Sequence, residues 1–118
     1  MKILLVDDEN VIRRALFMGL RVKGHTLVET KYPLEALKKM KEEHFDLIVV
    51  DYKMSLLSGN DLIKILQSRQ NKTPALILSS VRPQEINTSG INIAEDQILS
   101  KDNSISEIIH KIENYCSV

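Results

Sequence analysis

Apolar residues in this chain gather in two alternating patterns. The first is a short unbroken run, seen at residues 3–6, 47–50 and 75–78. Such β-forming runs without polar alternation suit strands buried on both faces, as in a parallel sheet covered by helices. Residues 26–30 and 97–100 read as two further short strands. The second pattern recurs at three- and four-residue steps. From Asn10 it takes in Val11, Ile12, Ala15, Leu16 and Leu20, with Arg13, Arg14 and Arg21 mostly on another face, and Lys23-Gly24 ends it because glycine accepts the left-handed cap. A second helix starts at Pro33, carries Leu34, Ala36, Leu37 and Met40, and runs out near Glu43-His44. A third covers residues 61–68 with Leu62, Ile63, Ile65 and Leu66. A last one follows the capping-box sequence Ser104-Ile105-Ser106-Glu107 and shows Ile105, Ile108, Ile109 and Ile112 on one stripe. Residues 83–92 are the weakest segment. Gln84-Glu85-Ile86 can open a helix, but Asn87, Thr88, Ser89, Gly90 and Asn92 are poor helix formers, so the fourth helix is expected to be short, frayed or displaced.

Five strands alternating with five helical segments predict a three-layer α/β fold with right-handed crossovers. The length of 118 residues fits one domain, 1–118, with no linker, repeat or low-complexity stretch. Hydrophobic residues are 43% and charged residues 27%, an ordinary globular balance, and the formal net charge is zero. That neutrality argues against a general nucleic-acid or membrane surface. The apolar run at the N-terminus is cut off by Asp7-Asp8, too short to be a signal or membrane span. A single cysteine, Cys116, cannot form an internal disulfide, and a reducing, cytoplasmic setting is expected.

Polar groups at the strand ends sharpen the picture. Asp7, Asp8 and Glu9 follow the first strand, Asp51 the third, Ser79 the fourth and Lys101 the fifth. In a flavodoxin-like sheet of order 2-1-3-4-5, the first and third strands are neighbours at the switch point, and ligands bind at the carboxyl ends. That order gathers Asp7, Asp8 and Asp51, flanked by Ser79 and Lys101. Two unit charges ~4 Å apart in a partly buried setting oppose each other by roughly 4 kcal/mol. Protonation or a cation relieves this, and a hard divalent ion such as Mg²⁺ suits one or two carboxylates plus a phosphate. A carboxylate oxygen can then attack phosphorus. Lys101 supplies a mobile charge, and the Ser79 hydroxyl a donor, for phosphoryl oxygens.

Over essentially its full length the chain resembles a response-regulator receiver (CheY-like phosphoacceptor) domain. The matching residues are Asp7-Asp8 after the first strand, Asp51 after the third, Met54 and Gly59 behind it, Ser79 after the fourth strand, and Lys101. The resemblance implies that Asp51 accepts a phosphoryl group from the phosphohistidine of a sensor histidine kinase or phosphotransfer protein, or from a small phosphodonor. It implies Mg²⁺ (or Mn²⁺) held by Asp8, Asp51 and the backbone carbonyl of Lys53, with Asp7 acting through water, and Ser79 and Lys101 on the phosphoryl group. It also implies a downstream protein target or a covalently linked output domain. A homodimer through the face of the fourth helix, fifth strand and fifth helix is a further expectation. The domain itself would bind neither nucleic acid nor membrane, and would catalyse only its own phosphorylation and dephosphorylation.

The chain departs from the family pattern in several places. After Met54, Ser55 stands where proline is common, Lys101 precedes Asp102 rather than proline, and a trans bond is expected there. Ile98 occupies the usual place of the aromatic switch residue, so an aromatic relay is not expected. Ser80 replaces the usual Ala or Gly, and Val81 and Lys53 lie at positions that in the family tune the phosphoryl lifetime. His25, His44 and His110 are scattered and read as surface residues. Two other functions compete. A haloacid-dehalogenase-type phosphatase needs a second acid two residues after the first, where this chain has Lys53. A degenerate receiver would act as a phosphorylation-independent interaction module.

Overall fold

The computed structural model describes residues 1–86 and 90–116, the side chain of Cys116 excepted. The strands are β1 (Lys2–Val6), β2 (Thr26–Thr30), β3 (Leu47–Asp51), β4 (Ala75–Ser79) and β5 (Ile98–Ser100), and they form one parallel sheet in the order β2-β1-β3-β4-β5. The helices among the described residues are α1 (Asn10–Val22), α2 (Pro33–Glu42), α3 (Gly59–Ser68) and α4 (Ile105–Cys116).

Strand alternation sorts the core into two layers. Ile3 and Leu5 of β1 join Leu47, Val49, Leu76, Leu78 and Leu99 in the cluster packed with α1 and α4, where Leu16, Leu20, Ile108 and Ile112 close it. Leu4 and Val6 join Ile48, Val50 and Ile77 on the other face, under Ala36, Leu37 and Met40 of α2 and Leu62, Ile63 and Leu66 of α3. Because β1, β3 and β4 are covered on both faces, their sequences contain no polar alternation.

Local chemistry sets the helix ends. Gly24 sits at φ +95°, which a side chain would strain, and α1 stops there. Pro33 opens α2. Ser58 and Asp61 form a reciprocal capping box that starts α3 two residues earlier than expected, at Gly59. The Ser104 hydroxyl accepts from the Glu107 N–H at the start of α4.

The structure corrects the sequence reading in three places. The buried face of α1 is Arg13, Leu16 and Leu20, whereas Val11 is 83% exposed. Arg13 belongs to the core stripe because it lies three and seven residues before those leucines. His25 is not a free surface residue: its ring lies 2.7 Å from Glu113 of α4 and 3.2 Å from the chain amino group, while His44 and His110 are exposed. Among the described residues there are four α-helices rather than five, and the one reduced is the fourth, the segment expected to be short, frayed or displaced. Where the fourth helix was expected there is a 3-10 turn at Pro83–Glu85, and the predicted face of fourth helix, β5 and last helix is reduced to β5 and α4 with this turn. Asn87, Thr88 and Ser89 lie outside the described residues.

A set of side-chain clamps holds the described residues of this segment. Ile86 is buried, and Ile91 and Ile93 pack against the α2/α3 core. The Gln67 amide donates to the Asn92 carbonyl at 3.0 Å and accepts from its N–H at 2.9 Å, as a neighbouring strand would. Gln97 likewise accepts from the Ala94 N–H and donates to the Ala75 carbonyl, both at 2.8 Å. Replacing Gln67→Ala removes both bonds to Asn92. Its amide is expected to exchange faster with deuterium, with a stability loss of about 1 kcal/mol; unchanged protection at Asn92 would refute the clamp.

Gly59 carries a tighter constraint. A Cβ there would lie 2.6 Å from the Asp51 carbonyl oxygen and 3.1 Å from the Val50 side chain. The Gly59→Ala variant is expected to lose about 1–3 kcal/mol by overpacking and to displace the end of β3. Urea denaturation checks the first outcome, and backbone amide shifts at Asp51 and Tyr52 check the second.

Candidate functional site

Parallel register brings the acids together. Val6 of β1 is level with Val50 of β3, so Asp7 and Asp51, each one residue further, come side by side. Asp51 pairs with Leu78, Ser79 with Ser100, and the Lys101 N–H donates to the Ser79 carbonyl at 2.8 Å. Asp7, Asp51 and Lys101 share the parity of Leu5, Val49 and Leu99, which face α1 and α4. Ser79 shares the parity of Ala75 and Ile77, on the opposite layer.

The side chains meet accordingly. Asp7 and Asp51 are each 3% exposed, Asp8 is the least buried of the three acids, and one carboxylate oxygen from each lies within 4.8 Å of the others. The Lys101 ammonium sits 2.9 Å from Asp51 Oδ1, 3.0 Å from Glu9 Oε1 and 3.4 Å from Asp7 Oδ2. Asp51 Oδ2 is buried without a hydrogen-bond partner. Burial raises the Asp51 carboxyl; the Lys101 hydrogen bond opposes this, and the charge of Asp7 adds to it, so the acid is pushed up to about 7. For Lys101 burial works downward, but its bonds to Asp51 and Glu9 and the charge of Asp7 outweigh it and hold the ammonium above the usual lysine value. One cation thus faces more negative charge than it neutralises. An oxygen-only donor set with an unpartnered buried carboxylate oxygen fits a hard divalent cation, and Asp7, Asp8 and Asp51 are the residues that would hold it.

The remaining predicted residues are placed differently. The Ser79 hydroxyl donates to the Val81 carbonyl at 3.1 Å and accepts from the Val81 N–H at 3.0 Å, so it is engaged in its own turn. Lys53 lies in the loop after β3 with its side chain exposed. Ile98 is half-buried and lines a hollow of about 290 Å³ with Pro83, Ile86 and Ile93. The Lys101–Asp102 bond is trans.

Sequence reasoning missed Glu9, Arg13 and Ser55. Glu9 is the third acid of its run, but only the fold shows that it reaches Lys101. The Arg13 guanidinium donates to the Asp7 carbonyl at 2.7 Å. The Ser55 N–H lies 3.3 Å from Asp8 Oδ2, a donor that the proline common in the related family lacks. Its signal was the missing proline itself.

Comparison with known proteins agrees with this geometry. Residues 3–113 match the response regulator receiver domain family. The two-component response regulator PhoP of Pseudomonas aeruginosa is 32% identical over 108 residues, covering 92% of this chain and 48% of PhoP. The transcriptional regulatory protein PrrA of Mycobacterium tuberculosis is 27% identical over 112 residues, covering 95% of this chain and 48% of PrrA. The chain therefore spans about half the length of these curated relatives. The receiver domain of the Francisella response regulator 1452 superposes with a TM-score of 0.80 at 29% identity, covering 96% of this chain and 93% of that one. With the family matched across nearly its whole length and the acid cluster formed at the switch point of the sheet, the chain belongs to the response-regulator receiver family and is a receiver domain of the two-component kind.

Proposed function

We propose that Asp51 is the phosphoacceptor and that the domain catalyses only its own phosphorylation and dephosphorylation. The observation that carries this is Asp51 Oδ2, buried and unbonded while Oδ1 is held by Lys101. Fixing one oxygen on the ammonium leaves the other as the nucleophile. It forms a bond to phosphorus as the P–N bond of a phosphohistidine, or the P–O bond of an acyl phosphate, breaks and the leaving group keeps the electron pair. Lys101 stays beside the reacting carboxylate, where it offsets charge on the phosphoryl oxygens. Ser79 reaches a phosphoryl oxygen only by giving up its turn with Val81.

Receiver domains bind Mg²⁺ at an acidic cluster, and Asp7, Asp8 and Asp51 form one here. We assign Asp8, Asp51 and the Lys53 carbonyl as direct ligands of Mg²⁺ (or Mn²⁺), with Asp7 acting through water. The metal, when bound, supplies positive charge at the phosphoryl oxygens. Lys53 stands where a dehalogenase-type phosphatase needs its second acid, which counts against that chemistry. Nothing favours a degenerate receiver, and the contacts of Lys101 with Asp7 and Asp51 support the phosphoacceptor reading.

Receiver domains of response regulators interact with histidine kinases and output domains. For this chain we propose a sensor histidine kinase or phosphotransfer protein as donor. α1 offers that donor Val11, Met18 and Val22, exposed at helical spacing along the helix, with Val11 at its acid-rim end. A linked output domain or separate protein target would engage the β5/α4 face, which is also the proposed dimer surface. No helix among the described residues is long and apolar enough to cross a membrane, and we assign the domain to the cytoplasm.

Acetyl phosphate with Mg²⁺ is expected to label the wild type and not Asp51→Asn, read by acid-labile phosphate or a mass increase on the intact protein. Labelling of the variant at the wild-type rate would sink the assignment.

The pH dependence follows from Asp51. Between about pH 4 and about 7 the folded metal-free domain holds a proton that an unfolded aspartate has released. The stability this confers is complete below the unfolded value and lost as pH rises through about 7. The melting temperature of the metal-free wild type is therefore expected to fall across this window more steeply than that of Asp51→Asn. Millimolar Mg²⁺ should flatten the wild-type slope by binding the ionised form. Identical slopes for the two proteins would overturn the account.

A further inference from the structure

We infer that Arg13 is a positioning residue of the metal site, fixing the peptide group between Asp7 and Asp8 so that both carboxylates turn toward Asp51. This rests on the proposed reading of Asp7, Asp8 and Asp51 as the metal-binding acids.

β1 ends at Val6 and α1 begins at Asn10, so Asp7, Asp8 and Glu9 form a turn that has no sheet partner beyond its first residue. The Glu9 side chain makes no capping bond to α1. Two bonds from other elements fix the main chain of Asp7. Its N–H donates to the Thr30 carbonyl of β2 at 3.1 Å, and its carbonyl accepts from Arg13 Nη1 at 2.7 Å. That carbonyl belongs to the amide joining the two acids. Rotating it swings Asp7 and Asp8 relative to each other; within the turn the Glu9 N–H donates to Asp7 Oδ1 at 2.8 Å, and from α1 it is Arg13 that bonds the carbonyl itself.

Arg13 is itself aimed. It is 9% exposed, with Nη2 donating to Asn10 Oδ1 at 2.8 Å and Nε to Glu29 Oε2 at 3.3 Å, while Glu29 also pairs with Arg14. A planar fork pinned at two points delivers its third donor in a fixed direction, which a flexible lysine does not. Burying a guanidinium carries a desolvation cost that an apolar residue in the same stripe would avoid. Of the three groups it bonds, only the Asp7 carbonyl leads to the site. Outer partners that orient metal ligands typically change metal affinity by about 10- to 100-fold when removed.

Isothermal titration calorimetry of the domain with MgCl₂, well below each variant's melting temperature, tests this. Arg13→Met is expected to weaken Mg²⁺ binding by about 10-fold or more, and Arg13→Lys to recover part of the loss, since one ammonium can still reach the carbonyl. If Arg13→Met does not fold, Arg13→Lys alone should bind more weakly than wild type. Ile112→Val, which trims the buried core under α1 away from the acids, is expected to lower the melting temperature and leave Mg²⁺ affinity within about twofold. The inference is overturned if the foldable Arg13 variants bind Mg²⁺ like the wild type, or if Ile112→Val weakens binding as much as they do. A wild type that binds no Mg²⁺ would overturn the metal site and this inference together, whereas equal binding by wild type and Arg13 variants would remove only the role of Arg13.

Discussion

The structure turns on an unequal balance: one buried ammonium, Lys101, set among Asp7, Asp51 and Glu9. Two carboxylates a few ångströms apart at low water content repel by roughly 4 kcal/mol, more than a typical hydrogen bond returns. Such a cluster persists only where the rest of the fold leaves it no alternative. Here the fold is a sheet whose strands are locked by two apolar layers, so the ends of β1 and β3 cannot separate without exposing Leu4, Val6, Ile48 and Val50. Hydrophobic burial, at about 25 cal/mol per Å² of apolar area, thus offsets the repulsion. Burial first, and the charge of Asp7 after it, leave the Asp51 carboxyl raised despite Lys101. A site in that condition is poised to take up either a proton or a cation.

The loop after β3 shows how a departure from a family pattern can be compensated. A proline would have stiffened the chain by restricting its unfolded states. Ser55 instead brings an N–H to Asp8, which links the loop directly to the acids. The next residue carries a local cost: Leu56 sits at φ +75°, 85% exposed, within a turn closed by the Leu57 N–H on the Ser55 carbonyl at 2.9 Å. Non-glycine residues in this region are strained. The stretch is pinned at its far end by Gly59, whose N–H donates to Tyr52 and whose missing side chain lets α3 approach the Asp51 carbonyl. Asp51 is thus held from below by packing and from above by the loop.

Strand identity and order were readable from the sequence because burial on both faces leaves unbroken apolar runs, and Asp7, Asp8, Asp51 and Lys101 were readable because they end those runs. Arg13 was not. Its charge assigned it to a solvent face, although its spacing from Leu16 and Leu20 fits the buried stripe, and only the Asp7 carbonyl explains an arginine there. Long-range partners such as His25 with Glu113, or Gln67 with Asn92, leave no periodic trace in sequence. The weakness of residues 83–92 as a helix was visible in their composition, but the clamps that replace the helix come from Gln67 and Gln97, outside that window.

That replacement bears on how a change at Asp51 leaves the site. Ser79 follows the run that pairs with β3, and its hydroxyl is bonded to both main-chain groups of Val81. A hydroxyl that turns to a phosphoryl oxygen gives up both bonds at once, so its motion passes into the backbone at Val81, two residues before the turn at Pro83. No rotating aromatic ring is required, and none is available at Ile98. Downstream, the described residues of the segment rest on Ile86, Ile91 and Ile93 and on side-chain amides rather than on a helical ladder. Such contacts break singly, whereas a helix resists as a cooperative unit. Moving these contacts therefore costs less than displacing an α-helix, and the Ser79 carbonyl, which accepts from the Lys101 N–H, ties the same backbone to the end of β5.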